Sequence, residues 1–224
     1  MNEYLRLKGL VDVPIAVRAG TQNDGIGRAD HAWISPPGGL WFTFDLKIAE
    51  SIPSFALFIG FCLHHSLINL FHPLAGKLKI KWTNDLIYDE HKLGGILCRY
   101  QQSRNTYTVG IGINTNNAID PQMGKFGAIS LADILQAEVS NTFLFNSLME
   151  SIERHSRELN DNLGYLTYCN DNLFGKGRLA KMEIGGLIIH AEVMGIDESG
   201  ALTIRKEMGE YISMDTGTIL EFIS

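Results

Sequence analysis

The sequence predicts an α/β (α+β) protein with a small all-β unit at its C-terminal end, and two observations carry that prediction. Up to Leu173, β-branched and alternating runs are interleaved with apolar runs at helical spacing. From Phe174-Gly-Lys-Gly-Arg178 onward only short strand-like runs remain, separated by turns such as Asp197-Glu-Ser-Gly200. A chain of 224 residues can bury one sizeable domain and a small accessory one, so the expected division is 1–173 and 174–224.

Taken in order, Val13 to Arg18 is a short apolar run read as a strand. Residues 19–32, AGTQNDGIGRADHA, are a polar, glycine-bearing loop. Leu40 to Leu46 alternates and reads as a strand. Pro53 to Phe71 carries Phe55, Leu57, Phe58, Phe61, Leu63, Leu67 and Leu70 at helical spacing and predicts a buried helix. Lys79 to Trp82 is a strand. Leu86 and Tyr88, then Leu93, Ile96 and Leu97, suggest two short strands joined by the polar turn Asp89-Glu90-His91, the second strand covering Gly95 to Gln102. Thr106 to Asn114 is a further strand, and its two glycines imply close backbone approach. Thr115 to Ala128 is a long loop. Ser130 is placed to cap a helix, and Phe143 to Asn160 reads as a second long amphipathic one. The C-terminal strands are Leu187–Met194, Ala201–Lys206 and Thr218–Phe222.

Composition is that of an ordinary globular protein, with 45% hydrophobic and 20% charged residues. A net charge of −6 gives no overall electrostatic reason to bind DNA or an anionic membrane. An anionic ligand would need a locally basic site, for which Arg18, Arg28, Lys81 and Lys92 are the candidates. Cys62, Cys98 and Cys169 lack metal-binding spacing and read as reduced thiols of a cytoplasmic protein. The apolar run Phe55–Leu63 is too short to span a bilayer. His64-His65 has no acidic or cysteine partner nearby and reads as structural. Gly110-x-Gly112 lacks the third glycine and following helix of a dinucleotide fingerprint.

The most informative stretch is Lys81 to Leu97, KWTNDLIYDEHKLGGIL. It sets an amide beside a carboxylate at Asn84-Asp85, then Lys92, then Gly94-Gly95, which let a ligand approach the backbone. This stretch resembles the K-W-P-N-D…K-L-G-G-I-L segment of biotin–protein ligases. Two further stretches are similar to that family. Gly20 to Leu40 matches its glutamine, Gly/Arg-rich loop, tryptophan and S-P-x-G-G-L. Val109-Gly-Ile-Gly-Ile-Asn114 with Ala128-Ile-Ser-Leu131 matches its G-x-G-x-N strand end and following helix start. The match runs over roughly residues 2 to 135. Gly195-Ile-Asp197 with Gly200-Ala-Leu202 is similar to the G-I-D-x-x-G-x-L pattern of the family's C-terminal domain.

That resemblance implies a mixed-sheet biotin/lipoate-ligase-like catalytic domain followed by an SH3-like β-barrel. It implies activation of biotin by ATP with Mg2+ and transfer to a lysine of a biotin carboxyl carrier domain. Lys92 would bridge carboxyl and phosphate oxygens as a flexible point charge. Arg28 would close the phosphate and acyl region. Gln22 would contact the biotin head group, and Trp33 would wall the pocket. Asn2, Gly25, Ile26 and Gly27 would complete the biotin and adenylate contacts. Gly95 and Leu97 would line the biotin cavity, with Gly112 and Asn114 on the adenylate side. Asn84 and Asp85 would hold local geometry or a magnesium-bound water, and no metal ligand is assigned.

The chain departs from the family in places. Ile26 replaces a loop arginine, Asp30 a glycine, and Thr83 the signature proline. Of the family's S-T-N only Asn2 is present, with Met1 where threonine is expected. No helix-turn-helix is expected ahead of the catalytic part, so neither is DNA binding. Two alternatives share these features: a lipoate or octanoate ligase of the same fold, and a biotin-binding module weakened by Ile26 and Asp30. A homodimer through a sheet edge is left open.

Overall fold

The computed structural model describes residues 16–28, 32–119, 127–157, 159 and 164–223. Asn2, Asp30 and the first half of the strand expected over Val13–Arg18 lie outside them. The larger sheet has six strands: β1 (Ala16–Ala19), β2 (Leu40–Lys47), β3 (Leu78–Lys81), β4 (Asp85–Tyr88), β5 (His91–Gln101) and β6 (Thr106–Ile113). They lie in the order β1-β2-β6-β5-β4-β3, and every pairing is antiparallel. Among the described residues, parallel pairing is confined to the isolated bridges Ile80–Leu173 and Lys92–Ala128.

One face of this sheet is apolar. Leu40, Phe42, Phe44, Ile80, Leu86, Ile96, Val109, Ile111 and Ile113 are all buried. Helices α1 (Phe55–Leu70), α3 (Asn141–Ser156) and α4 (Gly164–Asp171) belong to the same core, α1 resting on Ile80 and Ile96 through Gly60. Helix α1 is buried nearly all round, and the chain leaves helical geometry at Phe71, just before Pro73. Helix α3 starts at Asn141, two residues before the apolar pattern begins, because the Ser140 hydroxyl accepts from the Phe143 N–H as N-cap. Ser130 does cap a helix, the short α2 (Leu131–Leu135), in a reciprocal capping box with Asp133.

His64 is a core histidine. Its ring bonds the Tyr168 hydroxyl at 2.8 Å and the Leu78 carbonyl at 2.9 Å, and burial lowers its pKa to about 4. No helix among the described residues is long and apolar enough to cross a membrane.

The smaller sheet comprises β7 (Leu179–Ile184), β8 (Leu187–Ile196), β9 (Leu202–Lys206), β10 (Tyr211–Met214) and β11 (Thr218–Phe222). Their order is β10-β9-β8-β7-β11, again antiparallel, and the outer strands do not pair to close a barrel. This sheet is tied to the larger one at defined points. The Trp82 indole N–H donates to the Gly200 carbonyl at 3.1 Å. Gly200 has φ +86° and lies so close to Ser54 that a Cβ there would collide. Arg178 stacks 4.4 Å from the Phe222 ring centre and pairs with Glu90 at 2.6 Å.

Candidate active site

The face of the large sheet opposite the helices carries rows of residues that no local stretch of sequence displays. One row crosses all six strands in register: Ala19, Trp41, Gly112, Gly95, Asp85 and Lys81. Beside it runs a second row, Val17, Thr43, Gly110 and Leu97. Cross-strand neighbours on one face stand within side-chain reach. The three glycines therefore leave a trough down the middle of the sheet, with ionisable groups at one end. A cavity of about 710 Å3 occupies this face.

The loop after β1 folds back across the trough. Gln22 and Ser35 form an isolated bridge, as do Ile26 and Ala32, and the Trp33 N–H donates to the Gly25 carbonyl at 2.7 Å. Gly25 is needed for that approach, because a Cβ there would run into the Trp33 carbonyl. The Trp33 ring consequently lies over the Gly95–Gly112 pair. A Cβ on Gly112 would stand 2.6 Å from the indole, and one on Gly95 would stand 3.0 Å from it. Trp33 meets Trp41 edge-on at 6.3 Å, and its own indole N–H is buried without an acceptor among the described residues.

Charge gathers where the trough ends. Lys92, second residue of β5, places its ammonium 2.7 Å from Asp85 Oδ1 and 4.9 Å from the Trp33 ring centre. The approach to Asp85 is a charge contact rather than an aligned hydrogen bond. The Lys92 backbone is pinned on both sides: its N–H donates to Gly127 and its carbonyl accepts from Ile129. Asn84 clamps β5 through its Nδ2 to the Ile96 carbonyl at 2.8 Å, while the Ile96 N–H donates to the Asn84 carbonyl. Lys81 is only 6% exposed, and desolvation brings its pKa down to about 8 against the opposing pull of Asp85. The Trp82–Thr83 peptide beside it is cis.

Arg28 joins three parts of the molecule. Its guanidinium donates to Thr83 Oγ1 at 2.8 Å, Asn84 Oδ1 at 3.2 Å and the Gly217 carbonyl at 3.2 Å. Gly217 lies in the turn before β11, and Thr218 and Ile219, the first two residues of β11, line the cavity. The small sheet thus contributes a wall.

Gln22, Ile26, Gly27, Arg28, Trp33, Lys92, Gly95, Leu97 and Gly112 all border the cavity. Gly25 and Asn114 do not. Gly25 acts through its backbone, and Asn114 is buried behind the strand ends, with its side chain 3.4 Å from the Lys92 carbonyl. Ile26 borders the cavity while remaining 53% exposed. The sequence assigns no site role to Thr43, to Gly110 beyond close backbone approach, or to the segment Gly217–Ile219. The first two would have followed from counting outward along the strand register. The third has no local signal, being 189 residues from Arg28.

The sequence profile of the biotin/lipoate A/B protein ligase family matches residues 4–116. A biotin–[acetyl-CoA-carboxylase] ligase of Paracoccus denitrificans is 28% identical over 208 residues, covering 88% of this chain and 86% of that protein. Biotin–protein ligase 2 of Arabidopsis thaliana is 30% identical over 103 residues, 43% of this chain. The chain spans about a third of the length of that relative (31%) and of a second Arabidopsis ligase (28%). A solved structure of biotin protein ligase from Aquifex aeolicus in complex with biotin and ATP superposes with a TM-score of 0.83 at 24% identity. It covers 98% of this chain and 92% of that one, and at this identity the likeness is one of fold.

Proposed function

This chain belongs to the biotin/lipoate A/B protein ligase family, and we propose that it activates biotin with ATP and transfers the biotinyl group to a lysine of a biotin carboxyl carrier domain. In the first step a biotin carboxylate oxygen attacks the α-phosphorus of ATP, and the bond to the pyrophosphate oxygen breaks. In the second, the neutral amine of the carrier lysine attacks the acyl carbon of biotinyl-adenylate, AMP leaves with the electron pair of the cleaved C–O bond, and the amine nitrogen gives up one proton to solvent as the amide forms. Neither step needs a covalent enzyme intermediate. The chain's task is to position the reactants and offset charge at the carboxylate and phosphate.

The observation that carries this reading is the convergence of Lys92, Lys81 and Arg28 on the end of a glycine-floored trough. The trough suits a neutral ring system laid against the sheet, with its carboxylate directed at Lys92. Arg28 suits the phosphate side. Through its contact with Gly217 it also makes closure of the loop depend on the small sheet. Gln22, Gly25, Ile26, Gly27 and Trp33 belong to the loop-borne side of the site in this reading. Gly95, Leu97, Gly112 and Asn114 belong to the strand-borne side, and Asn2 is carried over from the family pattern alone. The division into a catalytic part, 1–173, and a C-terminal part, 174–224, and a cytoplasmic location are included.

Mg2+ enters as the counter-ion of ATP. Among the described residues no three His, Cys, Asp or Glu side chains gather, and the Asp85 oxygen that faces the site is taken by Lys92. The side chains present do not build a cage for a resident metal, and no step is assigned to one.

Incubation with ATP, Mg2+, biotin and a carrier domain tests the proposal. The carrier should gain the mass of one biotinyl group, and no gain would overturn the reading. The family also includes lipoate ligases, so pyrophosphate exchange should be compared with biotin, lipoate and octanoate. Exchange driven by biotin alone is expected.

A further inference from the structure

We infer that Lys81 is a positioning residue for the activation step: it holds the charge of Asp85 when Lys92 leaves that carboxylate for the reactants. The inference rests on the reading of this site as one that activates a carboxylic acid with ATP.

The cross-strand row ends in Asp85 on β4 and Lys81 directly opposite on β3, with Lys92 of β5 on the other side of the carboxylate at 2.7 Å. The carboxylate is thus in contact with the Lys92 ammonium, and Lys81 is its cross-strand neighbour. Lys81 has almost no contact with solvent, whereas the Lys92 side chain keeps 31% of its surface exposed toward the cavity. Of the two lysines, only Lys92 has room to turn. Its hold on Asp85 is a single charge contact at a part-exposed position, which an anion of comparable strength arriving in the trough can replace.

If Lys92 alone balanced Asp85, its departure would leave a part-buried carboxylate uncompensated beside an incoming carboxylate and phosphate, which is costly. Lys81 removes that cost. Burial opposes the charged form of Lys81 most; among the described residues Asp85 favours that form, and Lys92 and Arg28 oppose it. Movement of Lys92 toward an anion relieves one of those like-charge contacts. Lys81 therefore becomes a firmer partner for Asp85 as Lys92 becomes a weaker one.

Three variants test this by biotin-dependent exchange of pyrophosphate into ATP. Lys81→Met is close to volume-conserving and should lower the maximal exchange rate about tenfold or more, with little change in the apparent KM for biotin. Lys81→Met combined with Asp85→Asn should recover part of that loss, since no carboxylate then detains Lys92. Losses that simply multiply in the double variant overturn the inference. Lys81→Arg keeps its charge at every accessible pH, so the decline in exchange expected of the wild type above about pH 8 should be absent in it; a decline of the same shape in both overturns the inference.

A measurement without nucleotide separates failure of this inference from failure of the functional reading. Acetylation of Lys92 by acetic anhydride at one fixed pH, followed by peptide mass, gives the rate at which its amine is modified. Lys81→Met should slow that modification several-fold, because Asp85 then holds Lys92 alone. An unchanged or faster modification overturns the charge arrangement even if biotin drives exchange. A slowed modification with no biotin-driven exchange in the wild type sinks the functional reading and leaves the arrangement standing.

Discussion

The two walls of the cavity are built in opposite ways. The strand-borne wall, from Lys81 across Asp85, Gly95 and Gly112 to Trp41, is fixed by ladder hydrogen bonds on both sides of nearly every residue. The described residues of the loop-borne wall, 22–28 and 32–35, are held by two isolated bridges, the Trp33–Gly25 bond and the reach of Arg28 to Thr83, Asn84 and Gly217. On the proposed function, Lys92 and Lys81, which would offset charge where the acid is activated, sit on the first wall. The loop that would admit a ligand and retain it, with Arg28 on the phosphate side, forms the second. Rigid placement preserves electrostatic stabilisation of a transition state, whereas a wall with few bonds can open.

The comparison predicts that damage to the strand wall costs chemistry and damage to the loop wall costs retention. The largest effect should come from Lys92→Ala. A charge-assisted contact of about 1.5–3 kcal/mol corresponds to a loss of roughly ten- to hundredfold in pyrophosphate exchange. Circular dichroism should be unchanged, because the Lys92 backbone stays bonded to Gly127 and Ile129. Exchange at the wild-type rate would show that the strand wall does not carry the chemistry.

A matched pair of glycine variants comes next. Gly112→Ala puts a methyl 2.6 Å from the Trp33 ring, so the ring or the strand must give way. Overpacking of this kind costs about 1–3 kcal/mol, and the affinity for biotin, measured by calorimetry, should drop accordingly. Gly110→Ala meets nothing closer than Thr43 Oγ1 at 3.7 Å, so the Trp33 wall stays in place and only the methyl's own narrowing of the trough should weaken biotin, less than at Gly112. Equal effects at the two positions would mean that the trough is not shaped by Trp33.

Arg28→Gly should act differently. The strand wall is intact in this variant, so activation continues, but the loop loses its bonds to Thr83, Asn84 and Gly217. Biotinyl-adenylate should escape and acylate a bystander such as albumin, with labelling rising several-fold over wild type for a loss of about 1 kcal/mol in retention. Unchanged bystander labelling would remove the distinction between the walls.

How much of this could be read from the sequence follows the same division. Lys92, Gly95, Asn84 and Asp85 are legible because they fall in one continuous stretch whose spacing already describes a hairpin. The long helices and the strand over 106–114 are legible from periodicity, with ends displaced by caps such as Ser140. Strands β7 and β10 and helix α4 were not read. Leu179–Ile184 and Tyr211–Met214 are short, and Gly164–Asp171 opens on a glycine and carries poor helix formers, so packing rather than propensity decides them. The cross-strand row from Ala19 to Lys81 depends on register between strands far apart in sequence. The docking of Gly217 on Arg28 is tertiary in the same way, since local pattern carries no information about which turn meets which loop.

The smallest effect concerns the joint between the walls. The Trp82 indole N–H donates to Gly200 across the seam between the two sheets, and its ring is 97% buried next to Lys81. Trp82→Phe keeps most of the apolar contact and removes the one hydrogen bond, leaving the Gly200 carbonyl to find water or go without. A loss of about 1 kcal/mol follows, which for a chain of this size lowers the melting temperature by about 2–4 °C. If the small sheet merely rests beside the cavity, that is all that should happen. If the Gly217 turn is a working wall, as Arg28 and the lining by Thr218 imply, loosening the seam should also raise bystander labelling slightly while leaving pyrophosphate exchange near wild type. A fall in exchange equal to the fall in stability would instead assign the seam to the strand wall, and the two-wall division would have to be redrawn through Trp82.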